Sequence, residues 1–254
     1  MPVIAVCSGK GGVGKTTVSA NLAAALTAFG ETVVVDCDFM LPNLHILLAI
    51  ENPGLSLFDV LRGDASLKDA TYRLRMAVGR TLTTLHVIPS LASLSMLKEF
   101  EERRFGEVVE ELSETYDYVV LDVSAGLSRL SLVSMGNADR AYVVVNPERS
   151  SVNSAKRVVT VARELGVEVG GVILNRYRGE RSFAELVSEI LDSELAGIIR
   201  ESRDISRSWD AGVPVISYRP RSAVSRDLVN LAMNVAGQKV NIRPFGRVRY
   251  LLGW

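Results

Sequence analysis

Residues 9–16 read Gly-Lys-Gly-Gly-Val-Gly-Lys-Thr and stand between an apolar run, 3–7, and a helical stretch that starts at residue 16. This is a full match to G-x-x-x-x-G-K-[ST], and its strand-to-helix context leaves the chain few ways to fold. Glycines at 9, 11, 12 and 14 permit positive φ and let backbone N–H groups close around an anion. The next helix adds the positive end of its dipole. In such a loop Gly11, Gly12, Val13 and Gly14 form the cradle and Lys15 contacts the β- and γ-phosphates. Thr16 offers a hydroxyl to Mg2+, and Thr17 reaches the α-phosphate.

Short Val- and Ile-rich runs alternate with longer helical stretches, the pattern of parallel strands joined by crossover helices. Strands are expected over 3–7, 32–36, 84–88, 118–122, 141–146, 170–175 and 195–199, and helices over 16–29, 94–113, 151–165, 182–191 and 223–235. Gly30 and Gly166 are expected to stop two of these helices, and residues 38–60 to form a loop with short helical turns. The fold class is α/β: one P-loop nucleotide-binding domain, 1–237, with a mostly parallel sheet of seven or eight strands and helices on both faces. Residues 238–254 follow as a basic amphipathic tail. In an open parallel sheet, ligands bind beyond the carboxyl ends of the strands. Asp36, Asp122, Asn146 and Asn175 close four runs and are expected to converge there.

Lys plus Arg and Asp plus Glu each number 29, so the overall field gives no reason to expect nucleic acid as a general partner. Cys7 and Cys37 are too few for a disulfide framework or an intrachain metal cluster, and a reducing compartment is expected. The apolar start has no basic lead or cleavage site and reads as a first strand. No run approaches the roughly 18 apolar residues of a membrane span. A cytoplasmic protein, attached at most to a membrane surface, is the expectation.

Lys10 is surplus to an ordinary P-loop, and Lys-Gly-Gly-Val-Gly-Lys-Thr-Thr at 10–17 resembles the deviant Walker A motif of the MinD/ParA ATPases. The resemblance spans nearly the whole chain, with its best match on the MinD side. It implies a homodimer in the ATP state, in which Lys10 crosses the two-fold axis to the partner's phosphates, as an arginine finger does in GTPases. Val-Asp-Cys-Asp at 35–38 resembles the family's switch I, with Asp38 matching the residue that orients the attacking water and helps hold Mg2+, and Asn43 a polar switch residue. Asp122 closes Tyr-Val-Val-Leu-Asp as a Walker B acid that binds Mg2+ through water. Asn146-Pro147-Glu148 and Asn175-Arg176-Tyr177 resemble the family's nucleotide-side segments, with Asn146, Asn175 and Arg176 assigned to the base. There is no Asn-Lys-x-Asp guanine signature, so ATP is the expected nucleotide. The chain departs from the family at Ser124 and Arg200, where prolines stand, and at His45 and Ser154, where acids stand.

Residues 239–254 carry Lys239, Arg243, Arg247 and Arg249 with no acid among apolar residues, and resemble the membrane-targeting tail of the MinD branch. As a helix from Pro244, Phe245, Val248 and Leu252 share one side; Val248, Tyr250 and Leu252 also alternate, as an edge strand would. Two tails on one dimer bind a surface far better than one. The implied function is slow ATP hydrolysis timing dimerisation and membrane release in spatial control of division, helped by an unidentified activating protein. A DNA-segregating or a flagellar-number ATPase is the alternative. An iron–sulfur carrier would need a C-x-x-C, and none is present.

Overall fold

The computed structural model describes residues 2–91, 100–179 and 181–238. The tail expected over 239–254, and residues 94–99, expected to begin a helix, lie outside the described residues. Among the described residues the order is β1 (Val3–Cys7), α1 (Lys15–Leu26), β2 (Thr32–Cys37), α2 (Leu44–Leu47), α3 (Leu57–Arg62), β3 (Tyr72–Val78), β4 (Thr81–Ile88), α4 (Glu102–Thr115), β5 (Tyr118–Val123) and α5 (Arg129–Gly136). It continues with β6 (Arg140–Val145), α6 (Arg149–Glu164), β7 (Glu168–Tyr177), α7 (Arg181–Leu191), β8 (Leu195–Arg200), α8 (Arg203–Asp210), α9 (Val215–Tyr218) and α10 (Ala223–Val235).

These strands form one eight-stranded sheet, β3-β4-β2-β5-β1-β6-β7-β8, parallel throughout except for β3. The expected single α/β domain is borne out. Alternation along each strand sends side chains to opposite faces. Ala5, Val33, Val35, Val119 and Leu121 enter a core under α4 and α6, whereas Ile4, Val6, Val34 and Val120 enter a second core with α1 and α10. Five central strands are buried on both faces, which is why they read as continuous apolar runs.

Several boundaries need correction. Strand β3 was not expected, because Arg73 and Arg75 interrupt its apolar residues; it is an edge strand that exposes both and buries Met76 and Val78. A two-residue turn, Gly79-Arg80, joins it to β4, with Gly79 at φ 63°. Helix α1 ends at Leu26, with Thr27 as its cap, rather than continuing to 29. Gly30 is therefore no left-handed cap. Its hydrogen is required because a Cβ there would come 2.6 Å from the Asp117 side chain. Gly166 does behave as expected: at φ 76° it donates to the Arg163 carbonyl, and Val167 donates to that of Ala162, a Schellman end to α6. The helix expected over 94–113 is not continuous: Phe100 and Glu101 are not helical, and α4 starts at Glu102 and runs on to Thr115. Phe100 instead packs with Phe39 and Phe105, ring centroids 5.2 and 5.8 Å away. Helices α5, α8 and α9 were also not expected. No helix among the described residues is long and apolar enough to cross a membrane.

Candidate functional site

The strand order places β2, β5 and β1 side by side, so the loops after them open on one edge together with those after β7 and β8. A cleft of about 1000 Å³ runs along that edge. Gly11, Gly12, Gly14, Lys15, Thr16 and Thr17 line its floor, Asp38, Met40, Leu41 and Asn43 one wall, and Asn175, Arg176, Glu201 and α8 the other. Gly12 and Gly14 take φ 76° and 89°, the left-handed conformations that the glycine spacing implied. Gly9 has a different reason to be glycine. A Cβ there would lie 2.4 Å from the backbone carbonyl of Ser154, so β1 turns into the loop hard against α6.

Lys15 is buried and its Nζ lies 2.9 Å from Asp122 Oδ1, at the end of β5. Ser19, one helical turn after Lys15, donates to the same oxygen at 2.7 Å. Ser19 was missed as a site residue; its i+4 spacing from Lys15 was the available signal. Burial lowers the lysine's pKa, but the Asp122 charge, with Asp38 and Asp36 behind it, more than offsets this and holds it above the usual lysine value. Removing one partner of such a buried pair costs about 3–5 kcal/mol, because the other charge is left in a medium that cannot solvate it. Asp122 Oδ2 is buried without a hydrogen-bond partner, an acceptor turned to nothing in the protein.

Asp36 lies opposite Asp122 in the β2–β5 register and is fully buried. Burial first, and then the Asp122 charge, push its carboxyl up to about 8, against two backbone donors that favour the ionised form. Those donors are Asp38 N–H at 2.9 Å and Leu44 N–H at 3.1 Å. Asp36 thus pins the segment that follows β2, while Asp38, half-buried, faces the cleft. Burial raises the Asp38 pKa and Lys15 pulls it back. The thiols sit beneath this layer, both buried, and burial pushes Cys7 up to about 12.

Asn175 is buried and donates through Nδ2 to the Val13 carbonyl at 2.7 Å, so it braces the loop as well as lining the cleft. Arg176 lines the cleft too, at φ 54°. Asn146 does not reach it. It lines an adjoining 350 Å³ recess with Glu148, Arg176, Arg178 and Glu201. Its backbone N–H is held by Ser151 Oγ at 3.0 Å, and its Oδ1 is buried without a partner. Lys10 also stays outside the cleft: its Nζ reaches Glu148 Oε2 at 3.0 Å and Ser150 Oγ at 3.3 Å. On the far wall Ile205 and Trp209 of α8 were not anticipated, because α8 itself was not.

The family model for the CobQ/CobB/MinD/ParA nucleotide binding domain matches residues 4–215. The septum site-determining protein MinD of Thermotoga maritima is 34% identical over 250 residues, which cover 94% of this chain and 89% of that one. The MinD of Pyrococcus horikoshii, solved with Mg-ADP, is 32% identical with a TM-score of 0.83, over 95% of this chain and 99% of that one. The MinC:MinD complex of Aquifex aeolicus is matched at 29% identity and a TM-score of 0.84, over 97% and 100% of the two chains. With a match that spans the P-loop and all the strands of the sheet, the chain belongs to the MinD/ParA family of nucleotide-binding proteins.

Proposed function

We propose that the chain is an ATP-driven dimerisation switch that hydrolyses ATP slowly and controls cell division in space, in the manner of MinD. The observation that carries this reading is the division of labour between its two loop lysines. Lys15 is buried in its own cleft on Asp122, while Lys10 is about half exposed on the outside of the loop. A lysine with no role in its own cleft is available to phosphates held by a second copy. The same cleft is rimmed by Met40, Leu41 and Trp209, 58%, 72% and 39% exposed, an apolar edge that a second copy would cover.

Within each copy the loop amides of Gly11 through Thr17 hold the phosphates, and Lys15 exchanges Asp122 for them. Asp38 accepts a hydrogen bond from water and aligns it for in-line attack. Thr16, Asp38 and Asp122 are the oxygen ligands proposed for Mg2+, and the orphaned Asp122 Oδ2 fits that assignment. No three His, Cys, Asp or Glu side chains converge as a metal site among the described residues, so a cation would be held jointly by these oxygens and the nucleotide's phosphates. When bound it neutralises charge on the phosphate oxygens. Asn175 and Arg176 address the base directly, and Asn146 supports them from the adjoining recess.

Residues 239–254 are the proposed membrane anchor, and location follows from the nucleotide because an ATP dimer presents two of them. Sedimentation with anionic vesicles tests this. The intact chain should pellet with ATP and not with ADP, and removal of 243–254 should end pelleting while ATP binding is kept. Pelleting that ignores the nucleotide would overturn the coupling of location to ATP, and failure to pellet together with retention of duplex DNA that is lost steeply on raising salt would replace this reading with a DNA-binding one.

A further inference from the structure

A second cleft, about 640 Å³, lies against α8 on the side away from the nucleotide site. Helix α8 is the wall between the two: Ile205 and Trp209 line the nucleotide cleft, and Asp204 lines this one. Its other walls are the β3–β4 turn, Gly79-Arg80, and the segment from Tyr218 to Ala223 that enters α10. Two distant parts of the chain thus bring Arg80, Arg219 and Arg221 to one concavity, with Asp204 as the sole acid lining it.

That acid is already divided. Asp204 Oδ1 stands 4.0 Å from Arg219 Nε and 3.8 Å from an Nη of Arg207. Arg80 and Arg221 have no ion-pair partner among the described residues. The chain as a whole has no net charge, so this excess of two positive charges is local. Guanidinium groups converging on a concavity repel one another unless an anion joins them, and their planar forks match phosphate oxygens bidentately. Tyr218, 37% exposed, offers an aromatic face to the organic part of a ligand. The first turn of α10, thirteen residues long, opens at Ser222 and Ala223 on the floor and adds to the positive potential. The volume is that of small-ligand sites, and a recess of this size suits a compact anion better than the outside of a duplex.

We propose that this cleft binds a small organic phosphate carrying at least two negative charges, a chemistry shared by free phosphorylated metabolites and phosphomonoester lipid headgroups. The test uses the intact chain saturated with ADP, so that the P-loop is filled, and titrates inorganic pyrophosphate by calorimetry. Pyrophosphate should bind at one site, and the double variant R80A/R221A should weaken it by about tenfold or more. ADP affinity and Tm should stay unchanged. R80K/R221K, which keeps charge but not the fork, should recover only part of the loss. Vesicles of phosphatidylcholine with and without phosphatidic acid distinguish the sources. Phosphatidic-acid-dependent pelleting that falls in R80A/R221A assigns the headgroup; unchanged pelleting with lost pyrophosphate binding assigns a free metabolite. The proposal is overturned if pyrophosphate fails to bind the ADP-loaded protein or binds the double variant equally well. It is also overturned if R80A/R221A loses only binding to duplex DNA.

Discussion

Lys10 and Glu148 form an ion pair, Nζ to Oε2 3.0 Å, that bridges the start of the P-loop to the start of α6 on the outside of the nucleotide cleft. Both side chains are about half exposed, 47% and 54%, and pairs of that kind contribute only about 0–1 kcal/mol. The pair can therefore be exchanged at little cost for a partner molecule's phosphates. Lys10→Ala should leave the Tm within a few degrees of the parent and ATP affinity within about threefold. Its turnover should fall by about a thousandfold, the scale of a lost finger residue. Equilibrium binding of a fluorescent ATP analogue beside phosphate release checks both halves of that statement.

Gly9 tests the packing rather than the chemistry. Its added Cβ would meet backbone atoms of Ser154 at 2.4 Å, and backbone has no rotamer by which to retreat. Gly9→Ala should cost about 1–3 kcal/mol and displace the loop from α6, weakening ATP binding at the same time. Thermal melts with and without nucleotide read both effects; an unchanged melt would show that the β1–α6 approach yields freely.

Asp36 gives the nucleotide-free protein a pH dependence with a definite sign. Its folded pKa, about 8, is raised above the ordinary 3.8, so between those values the folded chain keeps a proton that the unfolded chain has released. The stabilisation is complete below 3.8 and is lost as pH rises through about 8. The Asp36 contribution should thus fall with rising pH, by at most about 1.4 kcal/mol per unit. Asp36→Asn removes the titration, though one of the two backbone donors it serves then lacks an acceptor. Urea melts from pH 5 to 8 should show the variant less stable at low pH, with the difference narrowing as pH rises.

Much of this was legible in the residues because the central strands bury both faces. A strand such as Thr32–Cys37 can only be a continuous apolar run, and its polar end then falls at the sheet's ligand edge. Asp36, Asp38, Asp122 and Asn175 were legible for that reason. The edge strand Tyr72–Val78 was not, because solvent lets arginine alternate with apolar side chains there. Helix α8 hid for a related reason: only Ser208 in it is buried, so its apolar stripe is too short to announce a helix. With α8 unseen, neither Trp209 nor the arginine cleft behind it could be placed. Lys10 was legible as surplus, but its contact with Glu148 is made across 138 residues of sequence that no local pattern encodes.

The central claim is that each cleft is completed by a lysine from the other copy, and mixed dimers test it most directly. Lys10→Ala keeps Asp38 in its own cleft, and Asp38→Ala keeps Lys10; each variant alone should bind ATP and fail to turn it over. In an equal mixture one cleft of every mixed dimer has its own Asp38 and receives Lys10 from its partner. Phosphate release should return to roughly a quarter of the parent rate on statistical mixing in a two-fold dimer. A mixture as inactive as its two components, with mixed dimers present by light scattering, would contradict the account and return Lys10 to its own cleft.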